Sequence, residues 1–126
     1  MLDMSIDAWT AQLPSPGRHG ATIADLSVFE KDTAVVLNPI YALEAGQRIV
    51  EFLCIDADPK SGAFGRVAQG RGRLLRICEA TGVSPTFSSA DDIVAALLGA
   101  QLIIVLAHTM KDGLPVPVVR AVMARS

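Results

Sequence analysis

The order of apolar and polar positions along the chain predicts five strands and two helices. Met1 to Gly20, with Trp9, Pro14, Pro16 and Gly17, reads as an irregular lead-in or a short helix ending in a turn. A first strand is expected over residues 21–29, with Ile23, Leu26, Val28 and Phe29 as its apolar positions. The change of phase between Ile23 and Leu26 points to a bulge. Glu30-Lys31-Asp32 turns the chain into a second strand, residues 33–43, where Pro39 argues for an edge position or a bend. A third strand, residues 47–55, is apolar on both faces. Val50, Phe52 and Cys54 lie on one face, and Ile49, Leu53 and Ile55 on the other.

A loop rich in Asp, Pro and Gly then leads to helical spacing over residues 63–81. Val67, Leu74, Leu75 and Cys78 share a face, Gly70 and Gly72 weaken the first half, and Gly82 is placed to end the helix. Ser88 or Ser89 can cap a second short helix that carries Asp91 and Asp92 in its first turn and ends at Gly99. Residues 101–110 form a fourth strand, Lys111-Asp112-Gly113 a tight turn, and residues 114–124 a fifth strand held to an edge by Pro115 and Pro117. Three strands, a helical insertion and two strands fit a five-stranded OB-like barrel, read as one domain over residues 1–126. A small α+β sheet with two helices is the rival architecture.

Composition narrows the classes. The chain has 126 residues, is 51% hydrophobic and only 19% charged, which excludes a disordered chain. The longest apolar stretch, residues 93–107, is interrupted at Gly99-Ala100-Gln101 and is shorter than the ~20 residues of a spanning helix. No membrane partner is expected. The N-terminus shows no secretory pattern, so the expected compartment is the cytoplasm. Cys54 and Cys78 read as buried thiols rather than a disulfide framework.

Candidate chemistry is sparse. Gly65 to Gly72 superficially resembles a phosphate loop, but Arg71 and Gly72 stand where Lys and Ser or Thr are required. His19 and His108 have no metal-ligand spacing with either cysteine, and no catalytic arrangement is apparent. No enzyme activity, cofactor or metal is expected. Residues 74–98 can be read as helix-turn-helix, but Asp91 and Asp92 would repel phosphate.

Charge is more informative. The net charge is −2, yet residues 48–76 hold Arg48, Lys60, Arg66, Arg71, Arg73 and Arg76 against Glu51, Asp56 and Asp58, a local +3. Either these arginines are a solvated helix face, or they form a strip that tracks a nucleic-acid backbone. Tyr41 is the candidate stacking surface for a base, while Phe52 is assigned to core packing and Trp9 to packing of the lead-in.

The run Gly65 to Val83, with Ile77-Cys78-Glu79-Ala80-Thr81-Gly82-Val83 at its end, resembles the helix of an uncharacterised phage and prophage family related to single-stranded-DNA-binding proteins. Pro16-Gly17 before Ala21-Thr22-Ile23, Gly46-Gln47-Arg48, and Leu97-Leu98-Gly99 before Leu102–Leu106 resemble further family features in the same order. The chain departs from the family at Cys54-Ile55-Asp56-Ala57-Asp58, where an Asn-Leu-Asn-like run is common. The resemblance implies an OB-like barrel and a non-catalytic role on single-stranded DNA in replication or recombination. The expected site is Arg48, Lys60, Arg66, Arg71 and Arg73 with Tyr41. The alternative is a protein-interaction or assembly subunit, a homo-oligomer, that does not bind nucleic acid and buries the apolar edge near Val116, Val118 and Val119.

Overall fold

The computed structural model describes residues 2–125. A short helix, α1 (Ile6–Ala11), precedes the long strand β1 (Gly17–Lys31), then β2 (Ala34–Leu43), β3 (Arg48–Val50) and β4 (Leu53–Ala57). A 3-10 turn over Gly62–Arg66 leads into α2 (Val67–Thr81), followed by α3 (Ala90–Leu97), β5 (Gln101–Lys111) and β6 (Leu114–Met123). All strand pairs are antiparallel, in the order β3-β2-β1-β5-β6, with β4 also on β2. The result is a β-rich α+β fold built on an open sheet. No described helix is long and apolar enough to cross a membrane.

The expected closed barrel is corrected by this topology. Among the described residues neither β3 nor β4 pairs with β6. The gap is filled by α2, which packs on β4 and reaches β5 and β6. Gly70 is what lets the helix come so close. A Cβ there would lie 1.9 Å from the Cys54 carbonyl oxygen, so this glycine is required rather than a weak point in the helix. The helix ends at Gly82 in the left-handed region (φ 74°), and the Val83 N–H donates to the Cys78 carbonyl.

Pro39 is the second correction. It lies in a strand with neighbours on both sides, not at an edge. The register places Glu51 opposite Pro39, between the pairs Ile40–Val50 and Leu37–Leu53. The Glu51 N–H donates to the Pro39 carbonyl (3.1 Å), but proline has no N–H to return. Asn38 replaces it, its Nδ2 donating to the Glu51 carbonyl at 2.7 Å. The third strand of the sequence reading is thus one extended run whose ladder is interrupted at Glu51-Phe52, which separates β3 from β4.

The main core lies on one face of the sheet. Ile23, Leu26, Leu37, Tyr41, Leu43, Leu102, Ile104 and Leu106 from the strands meet Ile77 from α2 and Ile93 and Leu97 from α3. The bulge falls between Ile23 and Asp25, as the phase change predicts. The Ser89 hydroxyl caps α3 by accepting from the Asp92 N–H. The lead-in is tied down by side chains. Trp9 Nε1 donates to the Pro115 carbonyl (2.6 Å), and His108 Nε2 lies 2.7 Å from the Pro14 carbonyl.

The β6 edge is blunted against strand addition. Pro115 and Pro117 supply no donor, and Trp9 and Arg73 engage the carbonyls of Pro115 and Val119.

Candidate nucleic-acid interface

One strand interruption sorts neighbouring residues between two environments. Side chains alternate along residues 48–54, so Ile49, Glu51 and Leu53 point to the core side while Arg48, Val50, Phe52 and Cys54 point to the other. A charged residue therefore takes an inward position and a phenylalanine an outward one. Phe52 is 70% exposed. Burying a phenylalanine is worth roughly 1.5–3 kcal/mol, most of which this position forgoes.

The inward carboxylate is fully engaged. Glu51 Oε1 accepts from the Tyr41 hydroxyl at 2.8 Å, and Oε2 lies 3.3 Å from Arg73 Nε. The same guanidinium donates through Nη2 to the Val119 carbonyl at 2.9 Å. Arg73 thus spans the gap between the β3–β4 connection and β6, and the pair is largely enclosed, its side chains 17% and 15% exposed. Burial pushes the Glu51 carboxyl above its ordinary value, against the opposing pull of Arg73 and the Tyr41 hydrogen bond. Burial, together with the Glu51 charge, also pushes the Tyr41 hydroxyl far up, so it stays a donor at any physiological pH.

On the outward side a groove of about 770 Å³ opens between the sheet and α2. Its sheet wall carries Phe29, Lys31, Ala34, Val36, Phe52 and Cys54. Its helix wall carries Arg66, Gln69, Gly70, Arg73 and Arg76. Phe29 pairs with Val36, which pairs with Cys54, so the two phenylalanines share this face of the sheet. They stand two strands and one side-chain repeat apart, roughly 12 Å from ordinary strand spacings. Phe29 is 37% exposed. Arg66 makes no hydrogen bond or ion pair with a described side chain, and Arg76 holds only an exposed pair with Glu79, whose net worth is small. Aromatic faces beside available guanidinium groups can stack bases and hold phosphates.

The six residues expected from sequence do not form one strip. Arg66 and Arg73 line the groove, but Arg73 is committed to Glu51 and Val119. Arg48 is exposed on the same sheet face, beyond the groove, and Lys60 lies in the turn after β4. Arg71 Nε donates to the Ile55 carbonyl (2.6 Å), and its Nη2 meets Asp56 at 3.3 Å, outside the groove lining. Tyr41 has no exposed surface, so it offers no face to a base. Phe52, assigned to the core from sequence, is exposed instead.

Phe29, Lys31, Gln69 and Arg76 also line the groove, together with two carboxylates, Asp32 and the Arg73-paired Glu51. One signal could have exposed the inversion. Glu51 alternates with Ile49 and Leu53, so either a carboxylate enters the core or Phe52 does.

Cys78 is buried, which pushes its thiol up, and Cys54 is half-buried; both are free thiols. Among the described residues no group of three or more His, Cys, Asp or Glu comes together. Compared with models of known protein families, the chain matches none. Its sequence likewise matches no curated protein.

Proposed function

We propose that this chain is a non-catalytic single-stranded-DNA-binding protein of phage or prophage type, acting in DNA replication or recombination, with the groove between the sheet and α2 as its binding site. The observation that carries the reading is the outward Phe52, in a groove it shares with Phe29, Arg66, Arg76 and Lys31. Bases stack on the phenylalanines while the cationic rim neutralises phosphates. Arg48 extends the basic surface along the same sheet face. The resemblance of residues 65–83 to the phage and prophage family supports the choice of DNA. The strand order adds to it. The antiparallel order β3-β2-β1-β5-β6, with α2 packed where the sheet stays open, supports an OB-like reading of the fold.

The alternative, an assembly subunit that buries the Val116, Val118 and Val119 edge, is less favoured. The prolines and engaged carbonyls of β6 leave that edge poorly suited to pairing with another strand. Fluorescence anisotropy with a labelled oligo-dT of ~30 nucleotides, long enough for more than one such site, tests the proposal. Binding that weakens as salt rises is the expected result. No binding at low salt and tens of micromolar protein would overturn it.

A further inference from the structure

The inversion at residues 51 and 52 asks for a cause. Left to burial alone, the strand would turn Phe52 inward and release Glu51 to water. Four contacts hold the opposite arrangement. The Glu51 N–H is bound to Pro39, its carbonyl to Asn38, and its carboxylate to Tyr41 and Arg73. Because neighbouring side chains on an extended strand point to opposite faces, fixing Glu51 inward fixes Phe52 outward.

We propose that Tyr41 is a positioning residue for the binding site: through its hydrogen bond to Glu51 it holds Phe52 out in the groove, where the ring can stack on a base. The inference rests on the groove reading above. Tyr41 is buried and never touches the nucleic acid. Among the described residues its hydroxyl is the one neutral donor on the Glu51 carboxylate, and it acts through the strand from the far side of the sheet. An aromatic residue that sequence reasoning placed at the surface thus serves the site from the core.

The experiment begins without nucleic acid. The chain has four phenylalanines. Labelling them with 4-fluorophenylalanine gives one ¹⁹F signal each, and Phe52→Leu assigns the signal of interest. A neutral gadolinium chelate then broadens each signal according to its exposure. In the unmutated protein the Phe52 signal is expected to broaden most. Tyr41→Phe adds a fifth signal from position 41, which Tyr41→Phe/Phe52→Leu tells apart from that of Phe52, and in this variant the broadening of Phe52 falls toward that of the half-buried Phe87. Unchanged broadening of Phe52 in Tyr41→Phe would overturn the proposal. Asn38→Ala, which frees the Glu51 carbonyl, is expected to act in the same direction and serves if Tyr41→Phe melts below the working temperature.

Binding of oligo-dT gives the second readout. Tyr41→Phe is expected to raise Kd about fivefold, the weight of one hydrogen bond, with the salt slope unchanged. Phe52→Ala and the Tyr41→Phe/Phe52→Ala double variant should then bind alike. An equal further loss in the double variant would show that Tyr41 acts by another route and would also overturn the proposal. If the unmutated protein does not bind oligo-dT while Tyr41→Phe still draws Phe52 inward, the function reading fails and the positioning of the ring by Tyr41 stands.

Discussion

Tyr41 lies on β2 and Phe52 in the break between β3 and β4 beside it, while Arg73 and Arg66 lie at two points of one helical segment, yet the members of each pair have opposite fates. Tyr41, in the core, and Arg73, at the inner wall of the groove, are both consumed by Glu51. On the groove side Phe52 and Arg66 face solvent. Residue type is the same in both regions; what differs is which side of one strand each residue meets. An aromatic ring and a guanidinium make a binding surface only where no inward carboxylate claims them first.

The sharpest way to break this contrast is to remove the inner partner. Arg73→Ala leaves Glu51 enclosed without its counter-charge and cuts the tie to Val119, costing about 3 kcal/mol. Thermal unfolding should show a loss of roughly 10 °C for a domain of this size. A melting temperature within a degree of the parent would mean the pair contributes nothing to holding the gap closed. Gly70→Ala attacks the same gap from the helix side. The added carbon meets the Cys54 backbone, and a destabilisation of about 1–3 kcal/mol in urea unfolding is expected.

The outer region should respond in binding rather than stability. Phe52→Ala should weaken oligo-dT binding by about tenfold, within the 1–3 kcal/mol of one stacked base, and leave the melting temperature unchanged or slightly higher. Arg66→Glu should weaken binding and lower the salt slope, read from anisotropy across a salt series. Arg71→Ala is the control of smallest effect. Its exposed ion pair with Asp56 is worth under about 1 kcal/mol, and the residue lies outside the groove lining.

Titration sharpens the comparison further. Glu51 binds its proton more tightly in the folded chain than in the unfolded one. Its contribution to stability is therefore fullest at low pH. It declines as pH rises from the ordinary glutamate value of 4.5 through the raised folded value. Glu51→Gln removes that component. Measured by urea unfolding between pH 4 and pH 7, on the order of the range where carboxylates titrate, the variant should gain on the parent as pH rises. A constant difference, or one of opposite sign, would contradict the burial assigned to Glu51.

Much of the fold is legible in the pattern of residues. The second strand, the phase change after Ile23, Gly82 as a helix stop and Ser89 as a cap all correspond to what the structure contains. The open gap was not legible, because periodicity says nothing about whether the last strand meets the third. Pro39 misled for a local reason: the side chain of Asn38 replaces the missing donor and allows an interior proline. The site was half legible. Arg66 could be named from charge, but residues 49–55 are apolar on both faces, so their spacing could not tell that Phe52 faces out. Tyr41 was expected to offer its ring to a base, whereas the ring is buried and its hydroxyl answers an enclosed carboxylate.

The most direct test is a map of amide chemical-shift changes as oligo-dT is added to isotopically labelled protein at low salt. The largest changes are expected at Phe29, Lys31, Phe52, Arg66, Gln69 and Arg76, with the far ends of β5 and β6 unmoved. Changes centred on the β6 edge or around Arg71 and Lys60, or no changes at all, would contradict it.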